Sequence, residues 1–159
     1  MILVTLGTHE LPFIRLVKQV EELKINNVVD DEIIVQSGNT PYESKNLNIQ
    51  PFFSSDEMDR LYDDADIIIT HGGTGSIIQG VKKRKRVIAT ARLKKYNEHN
   101  DDHQVEIIDQ FVEAGYILDL KEDENIGDKI REAKIFQPKI FISGRDKIIQ
   151  FINDYIQNI

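Results

Sequence analysis

Apolar positions along this chain fall into two kinds of run. Short blocks of consecutive, mostly β-branched residues occur at Met1–Leu6, Glu32–Gln36, Asp66–Ile69 and Val87–Thr90. Such blocks predict strands buried on both faces of a sheet. Between them apolar residues recur three and four apart: Phe13, Leu16, Val17, Val20 and Leu23, then Met58, Leu61 and Tyr62, then Ile77, Ile78 and Val81, then Val105, Ile108 and Val112. That spacing lines one side of a helix. Pro12 suits the first turn of the first helix, Ser54 or Ser55 can cap the second, and Gly115 stops the helix over Asp101–Ala114. Leu47–Phe53 predicts a marginal strand, because Pro51 lacks an N–H for the ladder. Ala91–Asn100 is polar and irregular, and Tyr116–Leu120 predicts the last strand. Helices over Asn125–Lys134 and at the C-terminus, with Ile148, Ile152, Tyr155 and Ile159 on one side, complete the pattern.

Strands alternating with helices imply an α/β fold with a parallel sheet covered on both faces. Crossovers are then right-handed, so the loops that follow strands gather at one edge, where ligands of such sheets bind. Gly7, Thr8 and His9 follow the first strand, Ser37 and Gly38 the second, His71 to Ser76 the third long block, and His99 and His103 the next. All four histidines of the chain therefore belong to that edge.

The stretch Asp66-Ile67-Ile68-Ile69-Thr70-His71-Gly72-Gly73-Thr74-Gly75-Ser76-Ile77-Ile78-Gln79 organises the rest. Three glycines within four residues link a buried strand to a helix. The first N–H groups of that helix point outward with a partial positive charge, and glycines let a phosphate approach the backbone. Thr74 and Ser76 can cap the helix or bond a phosphate oxygen, and Gly73 and Gly75 are expected to need positive φ or space for the ligand. The alternative is a turn that only packs a helix closely on a sheet. The pattern matches neither the G-x-G-x-x-G dinucleotide fingerprint nor a P-loop.

At 159 residues the expectation is one domain, residues 1–159. No apolar run approaches the roughly 20 residues of a membrane span. The net charge of −7 argues against nucleic acid as a partner, and the absence of cysteine excludes disulfides and thiolate chemistry. Lys82-Lys83-Arg84-Lys85-Arg86 has two readings: cations complementing a helix C-terminus, or a docking face for an anionic membrane or acidic partner. His99 and His103, four apart, resemble half of a divalent-metal site, but no third ligand has a fixed position, so no metal is expected.

His71-Gly72-Gly73-Thr74-Gly75-Ser76, with Val4-Thr5-Leu6-Gly7-Thr8-His9-Glu10 and Glu98-His99-Asn100-Asp101-Asp102-His103-Gln104 in the same order, resembles family 28 glycosyltransferases. The likeness is greatest to small stand-alone chains corresponding to the C-terminal, donor-binding half of those enzymes. Examples are the bacterial polysaccharide β-1,4-galactosyltransferase subunits and the catalytic subunit of the dolichol-linked N-acetylglucosaminyltransferase. The resemblance implies a Rossmann-like GT-B half that binds a UDP-sugar as substrate, with no metal and no cofactor. On it, Gly7, Thr8 and His9 border the diphosphate and acceptor side, Gly72, Gly73, Thr74, Gly75 and Ser76 cradle the phosphates, Gln79 meets the ribose and Gln104 the donor sugar. Gly38, His71 and His103 complete the expected donor-binding set, and His9 or Glu10 is the expected general base. Two positions depart from the family pattern: Gln79 is neutral where an acidic residue is frequent, and Arg84 stands where a glycine usually ends the helix.

Two functions follow. The first is a metal-independent, inverting hexosyltransferase subunit in polysaccharide biosynthesis, with galactose, glucose and N-acetylglucosamine as equal candidates. It would be cytoplasmic and peripheral at the inner membrane face, working on a lipid-linked sugar acceptor held by a membrane-associated subunit, with a homodimer as a further possibility. The second is a non-catalytic nucleotide-sugar-binding regulatory module.

Overall fold

The chain runs through β1 (Ile2–Thr5), α1 (Ile14–Ile25), β2 (Ile33–Gln36), β3 (Asn48–Gln50), α2 (Ser55–Asp64), β4 (Ile67–His71), α3 (Thr74–Lys82), β5 (Arg86–Thr90), α4 (His103–Glu113), β6 (Leu118–Asp119) and α5 (Ile126–Ile135). In this computed structural model, which describes residues 1–142 and 144, all six strands are parallel in the order β3-β2-β1-β4-β5-β6. The expected helix bearing Ile148, Ile152, Tyr155 and Ile159 lies outside the described residues.

Every residue of β1, β2 and β4 is buried, yet the pleat still sorts them by face. Ile2, Val4 and Leu6 pack beneath α1 and α5 with Phe13, Leu16, Val20 and Ile130. Leu3, Ile34 and Ile68 face the other way, against Tyr62, Ile77 and Ile108 of α2, α3 and α4. The chain builds outward from β1 through β2 to β3, then returns by α2 to lay β4 against the free side of β1. From there it builds outward the other way. Thr5 and Thr70 are opposite each other in the β1–β4 register, and beyond them the two following loops separate. A sheet whose winding reverses in this way opens a crevice at that point.

The edges are shorter than the sequence suggests. β3 keeps three residues, with Asn48 and Gln50 exposed and Pro51 next in line. β6 keeps only Leu118 and Asp119 of the predicted Tyr116–Leu120. α4 starts at His103 rather than Asp101, because the two aspartates before it are engaged elsewhere. Asp101 Oδ1 accepts from His103 N (3.1 Å) and Asp102 Oδ1 from Lys94 N (2.9 Å).

The basic run is largely internal glue. Lys83 bridges Asp59 (2.9 Å) and Asp63 (2.7 Å) of α2, Lys85 Nζ donates to Asp63 O (2.6 Å), and Arg86 Nε donates to Phe136 O (3.2 Å). These contacts tie the end of α3 to α2 and to the segment after α5, leaving Lys82 and Arg84 exposed.

Three helices end in one device. After α1, α3 and α4 a residue in the left-handed region donates its N–H to the carbonyl three residues earlier, and the next residue donates to the carbonyl five residues earlier. The pairs are Asn27→Lys24 with Val28→Leu23, Arg84→Val81 with Lys85→Gly80, and Gly115→Val112 with Tyr116→Phe111. The left-handed residue is Asn27 (φ 50°), Arg84 (φ 58°) and Gly115 (φ 77°) respectively. Glycine takes that conformation freely and asparagine tolerates it, whereas arginine carries the Cβ penalty. Arg84→Gly is therefore predicted to stabilise the protein by about 1 kcal/mol despite the added freedom of the unfolded chain. Urea unfolding of the two proteins checks it; a destabilised variant would mean that the Arg84 side chain contributes more than its backbone costs.

Candidate anion-binding site

The crevice between β1 and β4 holds a cleft of about 350 Å³ lined by Thr5, Gly7, Thr8, Gln36, Met58, Tyr62, His71, Gly73, Gly75, Ser76 and Gln79. Seven of the residues singled out from sequence meet here: Gly7, Thr8, His71, Gly73, Gly75, Ser76 and Gln79. No carboxylate belongs to this lining.

The cleft is shaped by one imidazole. His71 ends β4 and is 9% exposed. A Cβ on Gly7 would stand 2.4 Å from His71 Cε1, and a Cβ on Gly73 would stand 2.2 Å from its Nε2. Both turns close over this ring, which is why both lack side chains. Gly7 also sits at φ 70°, a conformation that glycine adopts without strain. Gly38 (φ 58°) supports the same turn from behind, since its Cβ would fall 2.1 Å from Gly7 O. It lines a separate depression with Asn39, Thr40 and Tyr42, not the cleft. Asn39 Nδ2 donates to Thr8 O (3.0 Å) and His9 O (3.3 Å), fastening the loop.

The start of α3 carries no side-chain cap. Its N-cap is Gly73, with φ −76° and ψ 123°. The expected positive φ at Gly73 or Gly75 is absent, because Gly75 already lies inside the helix. Thr74 and Ser76, expected as caps, occupy the first and third helical positions and make no cap bond. By contrast Ser54 closes a capping box on α2, and Asn125 Oδ1 accepts from Gly127 N (2.8 Å) and Asp128 N (3.2 Å) on α5. The first N–H groups of α3 thus stay free at the cleft, with the positive end of the helix dipole behind them. Gly75 alone among the glycines of these turns has nothing within 4 Å of where its Cβ would be.

Besides Gly38, the expected residues His103 and Gln104 lie outside the cleft lining. His103 is 73% exposed on the outer side of α4 beside Glu106 (3.5 Å) and does not join the cleft. Gln104 was expected to meet a donor sugar, but it is buried and its Oε1 accepts from Gly72 N (3.1 Å) and Arg92 N (3.0 Å). Its oxygen holds the β4 loop against the β5 loop. Its removal would disturb the glycine turn itself. Among the described residues, no three histidine, aspartate or glutamate side chains stand together in a way that could hold a metal ion.

His9 stacks on His99 at 4.5 Å between ring centroids. Its Nδ1 accepts from Leu11 N (3.1 Å), so the neutral ring carries its proton on Nε2 and offers a donor, not a lone pair. Burial lowers its pKa below 6.5, with the charges of His99 and Arg92 adding to the effect. Glu10, the other expected base, is exposed. Sequence reasoning missed Arg92 and the buried acid Glu98. Glu98 takes a two-pronged contact from Arg15 (3.0 and 2.8 Å) and a bond from Leu93 N (3.0 Å). Arg92 stands directly after a buried strand between Ala91 and Leu93, and that charged residue in an apolar setting was the available signal.

Burial pushes the pKa of His71 from 6.5 down to about 4, helped by the Arg92 charge and opposed by a hydrogen bond with the Thr5 backbone. The folded value lies below the unfolded one, so between them the unfolded chain binds more protons. Stability due to neutral His71 is whole above about pH 6.5 and falls as pH drops toward 4, by roughly 3 kcal/mol in all. Carboxylates held low by their partners, such as Glu57 and Asp66, lose their contribution only at more acid pH. Urea unfolding from about pH 7 to about pH 4.5 is predicted to show this loss in the wild type and a flatter profile in His71→Asn. Equal slopes would place the acid sensitivity elsewhere.

The family model for the glycosyltransferase family 28 C-terminal domain matches residues 1–158. Among curated proteins, the chain is 31% identical over 100 residues to the UDP-N-acetylglucosamine transferase subunit ALG13 of Candida albicans, covering 63% of this chain and 31% of the relative. It is 35% identical over 65 residues to the subunit of the same name from Saccharomyces cerevisiae, covering 41% and 30%. The chain thus spans about a third of the length of these curated relatives. Among solved structures, the solution structure of ALG13 superposes with a TM-score of 0.59 at 21% identity over 94% of this chain and 93% of that one. The glycotransferase of kitacinnamycin gives 0.60 at 19% identity, covering 84% and 33%. Those structural likenesses establish the fold, in which the first two motifs line one cleft and the third supports it through Gln104. By the match along nearly its whole length, this chain belongs to the glycosyltransferase family 28 C-terminal domain family.

Proposed function

We propose that the chain is the donor-binding, catalytic subunit of a hexosyltransferase whose donor is a UDP-sugar. The observation that carries this reading is the uncapped start of α3, opening on a cleft without carboxylates at Gly75, the one glycine of these turns that packing does not explain. A Cβ on Gly7, Gly38, Gly72 or Gly73 would fall within 3 Å of a neighbour, whereas Gly75 leaves room for a ligand. The free N–H groups of Thr74, Gly75 and Ser76 are donors for a diphosphate. Together with the helix dipole they supply the positive field that other transferases draw from a divalent cation.

In this reading Thr8 and Ser76 add hydroxyls to the phosphates, and Gln79, one turn into α3, reaches the ribose. Gln104, with its oxygen engaged, offers only Nε2 to the sugar. An acceptor hydroxyl oxygen attacks the anomeric carbon as the bond to UDP breaks, inverting that carbon. The proton passes to a base and the negative charge to UDP. Glu10 suits the base better than His9, whose lone pair is taken by Leu11 N. The relatives named as UDP-N-acetylglucosamine transferase subunits support this class of reaction and make that donor the first to test. Their description as subunits supports a second chain, which in this proposal is membrane-associated and presents a lipid-linked acceptor. In the described residues no helix is long and apolar enough to cross a membrane. Attachment through that partner at the cytoplasmic face of the membrane belongs to the same proposal.

The test supplies labelled UDP-N-acetylglucosamine, UDP-glucose or UDP-galactose in excess chelator to the purified chain plus membranes containing the partner. One donor is predicted to be transferred to lipid, and Gly75→Val is predicted to lose that transfer by more than about 100-fold while keeping its folded circular dichroism spectrum. Transfer that needs a divalent cation, or an active Gly75→Val protein, overturns the reading. Saturable UDP binding with no transfer of any of the three sugars would identify a regulatory module instead.

A further inference from the structure

Arg92 is among the largest fully buried side chains of the described residues, at 1% exposure. Its guanidinium lies over the Phe13 ring at 4.9 Å. Nη2 donates to Leu6 O (2.7 Å), and Nη1 donates to Leu11 O (2.6 Å) and Glu98 O (3.2 Å). Nε has no partner at all. Every acceptor it has is a neutral carbonyl. The nearest acid, Glu98, directs its carboxylate to Arg15 and to Leu93 N, and among the described residues no carboxylate lies within ion-pair distance of Arg92. A buried cation without a counter-ion is costly, and proteins rarely keep one unless something else pairs with it.

Its position says what that is. Leu6 O lies between Thr5 and Gly7, both cleft residues. The Arg92 N–H shares Gln104 Oε1 with Gly72 N at the other wall. The guanidinium is thus one residue behind the cleft on the β1 side and acts on His71, which lines the cleft, while the Arg92 backbone is tied to the β4 loop through Gln104. We propose that Arg92 is a fixed positive charge set behind the β1–β4 crevice, whose counter-ion is the diphosphate of the bound nucleotide. This deepens the proposed UDP-sugar reading and rests on it. Arg92 touches no ligand; it is a positioning residue that clamps both loops and adds a field that no solvent ion can displace. The titratable and charged groups that face it are His9 from the β1 loop, His71 from β4 and Glu98 from the β5 loop, whose charge acts on it without touching it, and Arg15 from α1, which shares the Phe13 ring with it. Its charge lowers the pKa of both His9 and His71.

The experiment compares UDP with uridine, which share a base and ribose but differ in charge, in the wild type, Arg92→Gln and Arg92→Lys. Arg92→Gln is expected to weaken UDP at least about tenfold and uridine less than about twofold, with Arg92→Lys closer to the wild type for UDP, because only a charge-based role separates them. Equal losses for both ligands, or equal behaviour of the two variants, would make Arg92 a structural clamp only and overturn the proposal. If the variants do not fold, the wild type still decides. The Arg92 Nε–H resonance should move on addition of UDP and not of uridine, and no movement with UDP overturns the proposal. A wild type that binds no UDP defeats the functional reading. In that case the titration of His9 and His71, expected at higher pH in Arg92→Gln, still reads the field, and unchanged titration refutes it.

Discussion

The His71 ring fills the place where a side chain on Gly7 or Gly73 would stand, 2.4 and 2.2 Å from the respective Cβ positions. Two loops that begin on adjacent strands are thereby built around one imidazole. The close packing leaves no room for a side chain at either turn. The ring is also neutral over the physiological range, since burial and Arg92 hold its pKa near 4. A neutral wedge keeps the turns apart without adding a proton-dependent charge beside the free N–H groups of α3. The sheet places His71 there: β4 pairs with β1 through Thr5 and Thr70, and His71 is the next residue along.

Around this wedge the loops are cross-tied by buried polar groups. Gln104 joins Gly72 to Arg92, Arg92 joins Leu6 to Leu11 and Glu98, and Glu98 joins Arg15 to Leu93. A chain of buried hydrogen bonds of this kind is strong when complete and costly when broken. The elements that stay unsatisfied are the start of α3 and the charge of Arg92, and both favour an anion. Fold stability and ligand choice thus have separate physical sources in neighbouring atoms.

Much of this was legible in the sequence for a simple reason: local patterns encode local structure. β1 and β4 are unbroken apolar blocks, α1 shows a clear stripe, and the glycine turn marked the cleft. What was not legible depends on partners far apart in the chain. Nothing near Gly7 announces that its missing side chain answers to the packing of His71, on another strand, and nothing near Gln104 announces that Gly72, 32 residues away, needs its oxygen. His103, beside it, faces solvent because α4 turns it outward. Arg84 was marked as unusual by resemblance, and the left-handed backbone there shows why a glycine would suit it. Arg92 hid in a segment read as polar loop, because two of the three carbonyls it serves, Leu6 O and Leu11 O, belong to the distant loop after β1.

The central claim is that the free N–H groups of Thr74, Gly75 and Ser76 receive a diphosphate without help from a metal. Amide resonances report this directly, one residue at a time. On titration with UDP in excess chelator, the amide protons of Thr74, Gly75 and Ser76 are predicted to show the largest downfield shifts in the spectrum, as expected of N–H groups donating to an anion. Saturation without those three moving, shifts centred instead on the apolar groove of Ala89, Leu93, Val105 and Ile108, or shifts that appear only with a divalent cation would contradict the account.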